Sequence, residues 1–183
     1  MKYVIASDLH GDMDAVRLLL TRFDEERADR LLLLGDLLYH GPRNDLPKGY
    51  APKEVIGALN ERKAVILSVR GNCDAEVDDM VLDFSVRADY ALLALDENVT
   101  VFATHGHLFT PESIDLRPHE CFLQGHTHVA EISRFGHENL FVNPGSVSIP
   151  KGSLPASYAV FENGAFSIRA LADGKVLIPP TKA

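Results

Sequence analysis

The stretch "YVIASDLHGD", residues 3–12, begins with an apolar run, Tyr3 to Ala6, that breaks into Ser7, Asp8, His10, Gly11 and Asp12. A short apolar run closed by polar and turn residues reads as a buried strand. The segments C-terminal to it supply its partners. "MDAVRLLLTRF" (13–23) carries Met13, Val16, Leu19, Leu20 and Phe23 at helical spacing. "RLLLLGD" (30–36) is a second buried strand, and "KEVIGALNER" (53–62) puts Val55, Ile56 and Leu59 on one helical face just after Pro52. "AVILSVRGN" (64–72) is a third strand running into a Gly-Asn turn. Strand and helix therefore alternate, which predicts parallel strands joined by crossover helices.

The second half reads differently. "YALLAL" (90–95) and "VTVFATHGH" (99–107) form a predicted hairpin with its turn at Asp96–Asn98. "CFLQGHTH", "EISRF", "LFVNPGS", "SYAVFE" and "AFSIRAL" are further short strands whose alternation predicts an antiparallel sheet. "IPPTKA" at the end reads as a loosely tied tail, and "HGPRNDLPKGYAP" (40–52) as a loop. Two sheets packed face to face with helices outside is the economical arrangement. Residues 1–183 are read as a single domain, a length that buries a substantial core.

The net charge of −8 disfavours nucleic acid as a partner. Two cysteines, Cys73 and Cys121, make no disulfide framework and read as reduced thiols. The first apolar run is too short for a signal peptide, and no stretch approaches a membrane span. A cytoplasmic protein without a membrane partner is expected.

Five predicted strand exits carry metal-competent side chains: Asp8 and His10, Asp36, Asn72, His105, and His126 with His128. Ligands of open α/β folds gather at the carboxyl ends of strands. Seven candidates exceed what one ion needs if water and substrate are also to reach it, and they suffice for two ions if a carboxylate bridges. Carboxylate, amide and imidazole donors suit manganese, iron, zinc, nickel or cobalt better than calcium or magnesium alone. Two ions about 3.5–4 Å apart activate water and stabilise displacement at phosphorus.

"DLHGD", "GD", "GNCD", "THGH" and "GHTH" resemble the calcineurin-like metallophosphoesterase superfamily. "GDLLYHGPRNDLPKGYAPKEV", "VRGNCDAEVD", "THGHLF" and "NPGSVSIPKG" resemble its bacterial YfcE-type phosphodiesterases over nearly the whole chain. The resemblance implies an α/β fold, a four-layer α/β/β/α sandwich of two mixed sheets flanked by helices. It implies one ion held by Asp8, His10 and His128, another by Asn72, His105 and His126, and Asp36 bridging both. The implied cofactors are two divalent ions, manganese first. The implied nucleophile is a metal-bridging hydroxide, and the substrate a small phosphodiester. Self-association as a homo-oligomer is plausible on the same ground.

Cys73 departs from the His that many relatives carry after Asn, although YfcE-like relatives also have Cys there. A thiol, with an ordinary pKa of about 8.5, is a weaker acid for a leaving alkoxide at neutral pH. Asn72, Cys73 and Asp74 are the candidate catalytic residues, with Asp74 weighed equally as a turn acid. Arg43 and Asn72 are candidate substrate contacts, since Arg pairs with phosphate oxygens in a bidentate manner, and for Arg43 an ion pair with Asp45 weighs equally. His107 is read as a non-ligand beside the site, and "NPGSVSIPKG" first as a structural turn, whose position after "GHTH" could also bring it beside the metals. A catalytically weak protein-interaction scaffold on the same fold is the alternative. It predicts damaged metal motifs, whereas all seven positions here are filled.

Overall fold

The computed structural model describes residues 1–183. The elements are β1 (Tyr3–Ala6), α1 (Met13–Glu26), β2 (Arg30–Leu33), α2 (Pro52–Asn60), β3 (Ile66–Ser68), β4 (Tyr90–Ala94), β5 (Thr100–Thr104), β6 (Cys121–Leu123), β7 (Glu131–Phe135), β8 (Asn139–Asn143), β9 (Ser157–Glu162), β10 (Ala165–Ala170) and β11 (Val176–Lys182). They build a six-stranded sheet, β11-β10-β9-β1-β2-β3, and a five-stranded sheet, β4-β5-β6-β8-β7.

Alternation along β1 explains why its run is apolar throughout. Val4 and Ala6 join the core under α1 and α2, while Tyr3 and Ile5 join the core between the sheets. β2 repeats this: Leu31 and Leu33 face the helices, Leu32 the other sheet. A sheet covered on both faces has no polar side to show. From α1, Val16, Leu19 and Phe23 fill the first core; Val55 and Leu59 do so from α2. Asp12 caps α1, its carboxylate accepting the Asp14 and Ala15 N–H groups at 3.0 and 3.1 Å. Pro52 opens α2, where its missing N–H costs nothing.

The first half has its predicted order, with β1, β2 and β3 parallel. The second half is corrected in two ways. Its strands divide between the sheets, β9 pairing antiparallel with β1. The five-stranded sheet is mixed, as the family resemblance implies and not antiparallel throughout as the strand alternation predicts: β4 and β5 form the predicted hairpin, but β5, β6 and β8 run parallel. The terminal segment is no loose tail. It forms β11, and Pro179 and Pro180 are tolerated because that strand lies at the sheet edge.

The outer layers are unequal. α1 and α2 cover the six-stranded sheet. Over the other sheet, Phe109 packs on the outer-face ladder of Phe102, Phe122 and Phe141, whose neighbouring rings stack at 5.5 and 6.3 Å. Only a 3-10 turn at Pro111–Ser113 accompanies it. Strand direction is the feature that builds the site. Three parallel strands in each sheet send six carboxyl ends to one edge of the sandwich.

Candidate metal centre

Asp8 and His10 leave β1, Asp36 lies just past β2, Asn72 past β3, His105 past β5, and His126 and His128 past β6. Asp8, His10, Asp36, His126 and His128 all have left-handed backbones, with φ of 57°, 47°, 56°, 63° and 62°. Non-glycine residues adopt this region rarely and at a cost. Here it turns two side chains separated by one residue to the same side. Between Asp8 and His10, Leu9 drops fully into the core.

Two glycines give the acids room. A Cβ on Gly71 would lie 2.1 Å from Asp36 Oδ1, and one on Gly125 would lie 2.7 Å from Asp8 Oδ2. Each precedes a candidate ligand, Asn72 or His126, so the close approach of the loops depends on both.

The donors form two adjoining groups. In the first, Asp8 Oδ1 stands 3.2 Å from His128 Nε2 and 3.6 Å from His10 Nε2, and the two imidazole nitrogens are 3.3 Å apart. In the second, His105 Nε2 is 3.1 Å from Asn72 Oδ1, 3.2 Å from His126 Nδ1 and 3.5 Å from Asp36 Oδ1. Donors around one ion with bonds of about 2.1 Å are spaced by about 3.0–3.4 Å. Asp36 faces both groups, its Oδ2 lying 3.8 Å from His10. Asp8 Oδ1 also reaches toward His105 at 4.0 Å, so two carboxylates stand between the groups.

The ring orientations are set from behind. The Nδ1 atoms of His10, His105 and His128 lie 2.9, 2.7 and 2.6 Å from the carbonyl oxygens of Tyr39, Leu34 and Ile149. A carbonyl only accepts, so Nδ1 carries the proton and Nε2 is free in the neutral ring. Burial disfavours charge on His105, but Asp36 and Asp8 outweigh it and raise the imidazole to about 9. Asp36 is held below its usual range by His105, against the effect of burial.

Cys73 lines the same cleft. Its N–H donates to Asp36 Oδ1 at 2.8 Å, and burial together with Asp36 pushes the thiol well up. In the metal-free protein the thiol is thereby held in its protonated form, and its sulfur stands with His10 and Asp36 as a further candidate donor group. Asp74 is buried and accepts the N–H groups of Asp36, Leu37 and Gly71 at 2.8, 2.8 and 2.7 Å. It ties the loop after β2 to the loop after β3 and holds its carboxylate away from the cleft. Arg43 makes no ion pair with Asp45 and lines the cleft with Asn72. His107 packs against His105 and His126, with ring centroids 5.4 and 6.3 Å away, outside both donor groups.

Sequence reasoning took the loop after β8 first as a structural turn that its position could also bring beside the metals, and the structure puts it against Asp8 and His128. Ser146 and Ser148 both donate to the Asp8 carbonyl, at 2.8 and 2.7 Å, Ile149 orients His128, and the Lys151 N–H donates to the His128 carbonyl at 2.9 Å. The signal in the sequence was a Gly/Pro loop that closes a strand soon after "GHTH".

Residues 1–164 match the calcineurin-like phosphoesterase superfamily domain. The chain belongs to that superfamily. The phosphodiesterase YfcE of Escherichia coli strain K12 is 45% identical over 178 residues, which cover 97% of this chain and 96% of that protein. The solved structure of Yfce, described as a phosphoesterase from E. coli, superposes with a TM-score of 0.94 at 44% identity, covering 99% of this chain and 98% of that one. Vps29 from Entamoeba histolytica shares the fold at a TM-score of 0.60 and 18% identity, covering 100% and 99% of the two chains. The superfamily implies divalent metals, and the donors fit them. Asp8 Oδ1 is the clearest sign: a fully buried oxygen that accepts no hydrogen bond and faces three imidazole nitrogens.

Proposed function

We propose that this chain is a metal-dependent phosphodiesterase acting on a small phosphodiester through a dinuclear centre. The observation that carries the reading is the pair of adjoining donor groups with Asp8 and Asp36 between them. His10 and His128 complete one group, and Asn72, His105 and His126 the other. Two divalent ions, when bound, supply an activated water and polarise the phosphoryl oxygens. Manganese is the first choice, with nickel, cobalt, zinc or iron as alternatives.

The remaining chemistry belongs to the protein. Asp36, which faces both donor groups, would help hold the ions and offset their charge, while Cys73 N–H and Asp74 fix its loop. Asn72 is exposed enough to touch substrate as well as metal. Arg43 supplies a guanidinium to the phosphate oxygens. Cys73, standing where an imidazole would be the better proton donor, gives little help to a poor leaving group, which favours esters of acidic alcohols. The substrate is a small molecule rather than nucleic acid, consistent with a net charge of −8. No helix is long and apolar enough to cross a membrane.

The test strips the protein of metal and adds back manganese, nickel, cobalt, zinc and magnesium separately, with paired aryl phosphodiester and phosphomonoester substrates. Metal-restored cleavage, faster on the diester, is expected. Measured binding of ions without cleavage of either ester overturns the proposal in favour of a scaffold.

A further inference from the structure

The cleft over the donor groups has a volume of about 460 Å³ and is lined by Asp36, Gly41, Pro42, Arg43, Asn44, Asn72, Cys73, the stretch from His126 to His128, and Lys151. Its only carboxylate is Asp36, which belongs to the metal centre. Its two side-chain cations, Arg43 and Lys151, enter from different loops. Neither makes an ion pair, although the chain holds 26 acidic residues against 18 basic ones. Most other cations in this protein are spoken for: Lys2, Arg17, Arg22, Arg62, Lys63, Arg70, Arg87, Arg169 and Lys175 all pair with carboxylates.

Lys151 is also not an ordinary surface lysine in its backbone. Its N–H is fixed to the His128 carbonyl at 2.9 Å, and the preceding residues are held by Ser146 and by the Ile149 carbonyl on His128 Nδ1. Gly152 then turns the chain with φ of 79°, against Val129. The root of the side chain is therefore placed on the cleft wall beside His128, opposite in sequence and origin to the Arg43 loop.

We propose that Lys151 is a specificity residue that binds a second anionic group, a carboxylate or phosphate, carried on one arm of the substrate. The inference rests on the phosphodiesterase reading. A simple diester carries one negative charge at phosphorus, and that charge is served by the metal ions and Arg43. A further ammonium in the same cleft, with no acid of its own, matches charge elsewhere on the molecule. An ammonium acts as a flexible point charge, so it accepts either anion. An Arg there would select for geometry.

Two measurements test this on the metal-loaded full chain. The first compares Lys151→Met and Lys151→Arg with the unsubstituted protein. The substrates are a nitrophenyl phosphodiester whose second arm ends in a carboxylate, its phosphate-ended counterpart, and the methyl-ester analogue of the first. Lys151→Met is expected to raise KM for the anionic-arm esters about tenfold more than for the neutral one, with little change in kcat, and Lys151→Arg to restore most of the difference. Which of the two anionic esters is affected more identifies the anion. The second measurement is calorimetric binding of phosphonoacetate against methylphosphonate, which needs no turnover. The preference for phosphonoacetate should fall about tenfold in Lys151→Met. Equal effects on ligands with and without the additional anionic group in both measurements overturn the assignment. If the unsubstituted protein cleaves none of the esters, the phosphodiesterase reading fails, and the binding ratio still decides the role of Lys151.

Discussion

Three of the four histidines in the donor groups give Nδ1 to a backbone carbonyl, so their Nε2 atoms are aimed before any ion arrives. This preorganisation makes the site sensitive to single atoms. Asp36→Asn keeps the size and the hydrogen bond from Cys73 but removes a charge shared by both donor groups. It is expected to lower kcat by at least about 100-fold and reduce bound metal, with the circular dichroism spectrum retained. Near-normal turnover with metal present would contradict a shared Asp36. Asp74→Asn should act differently. It leaves one or more of three loop N–H groups poorly paired, which costs about 1–3 kcal/mol of stability in urea unfolding and lowers activity only through the displaced Asp36 loop. At this scale much was legible from sequence. Asp8-x-His10 and His126-x-His128 sit at strand ends, and residue type announces the chemistry. The role of Asp74 stayed divided between turn acid and catalytic acid, because two of its three partners are backbone N–H groups 37 and 38 positions away. Lys151 was hidden for the same reason: only the fold brings the loop after β8 beside His128.

Elements were legible where burial governs composition and illegible where pairing is non-local. β1 and β2 declare themselves because helices cover one face and a sheet the other. The parallel pairing of β5, β6 and β8 leaves no local trace, since short strands between turns look alike in either direction. β11 was disguised by Pro179 and Pro180, which only an edge permits. The last residue of α1 shows how distant elements are joined. Glu26 pairs with Lys2 at 2.7 Å, with Arg169 on β10, and accepts from the Tyr158 hydroxyl of β9 at 3.1 Å. Against burial, Lys2 and Arg169 hold its carboxyl below the usual range. A depressed pKa in the folded state contributes stability above the unfolded value, near 4.5, and that contribution disappears as pH falls through the folded value. Glu26→Gln is therefore expected to lower the urea midpoint clearly at pH 7, by about 1–3 kcal/mol in free energy, and much less at pH 3. An equal loss at both pH values would show that the side chain contributes through packing rather than charge.

At the scale of the whole molecule, the donor groups are the seam between the sheets. Asp8, His10, Asp36 and Asn72 come from the six-stranded sheet; His105, His126 and His128 come from the five-stranded one. Ions bound there cross-link the two halves of the sandwich in the folded state and are lost on unfolding, so metal contributes to global stability by linkage. At a free concentration of 100 times Kd one ion adds about 2.7 kcal/mol, a rise in Tm of roughly 5–10 °C for a chain of this size. The gap depends on pH in a defined direction. In the metal-free protein His105 is raised to about 9 by its carboxylates. That charge pairing contributes stability fully below the unfolded imidazole value of 6.5 and loses it as pH rises through about 9. The metal-free protein is therefore expected to lose Tm between pH 6.5 and 9. The metal-loaded protein moves the other way, because the proton on His105 must leave before Nε2 can bind an ion. Scanning calorimetry across this range should show the two curves diverging. Titration of metal at pH 7.5 in buffers of different ionisation enthalpy should detect at least about one proton released. Parallel curves and no proton release would mean that the His105 nitrogen is not where an ion binds.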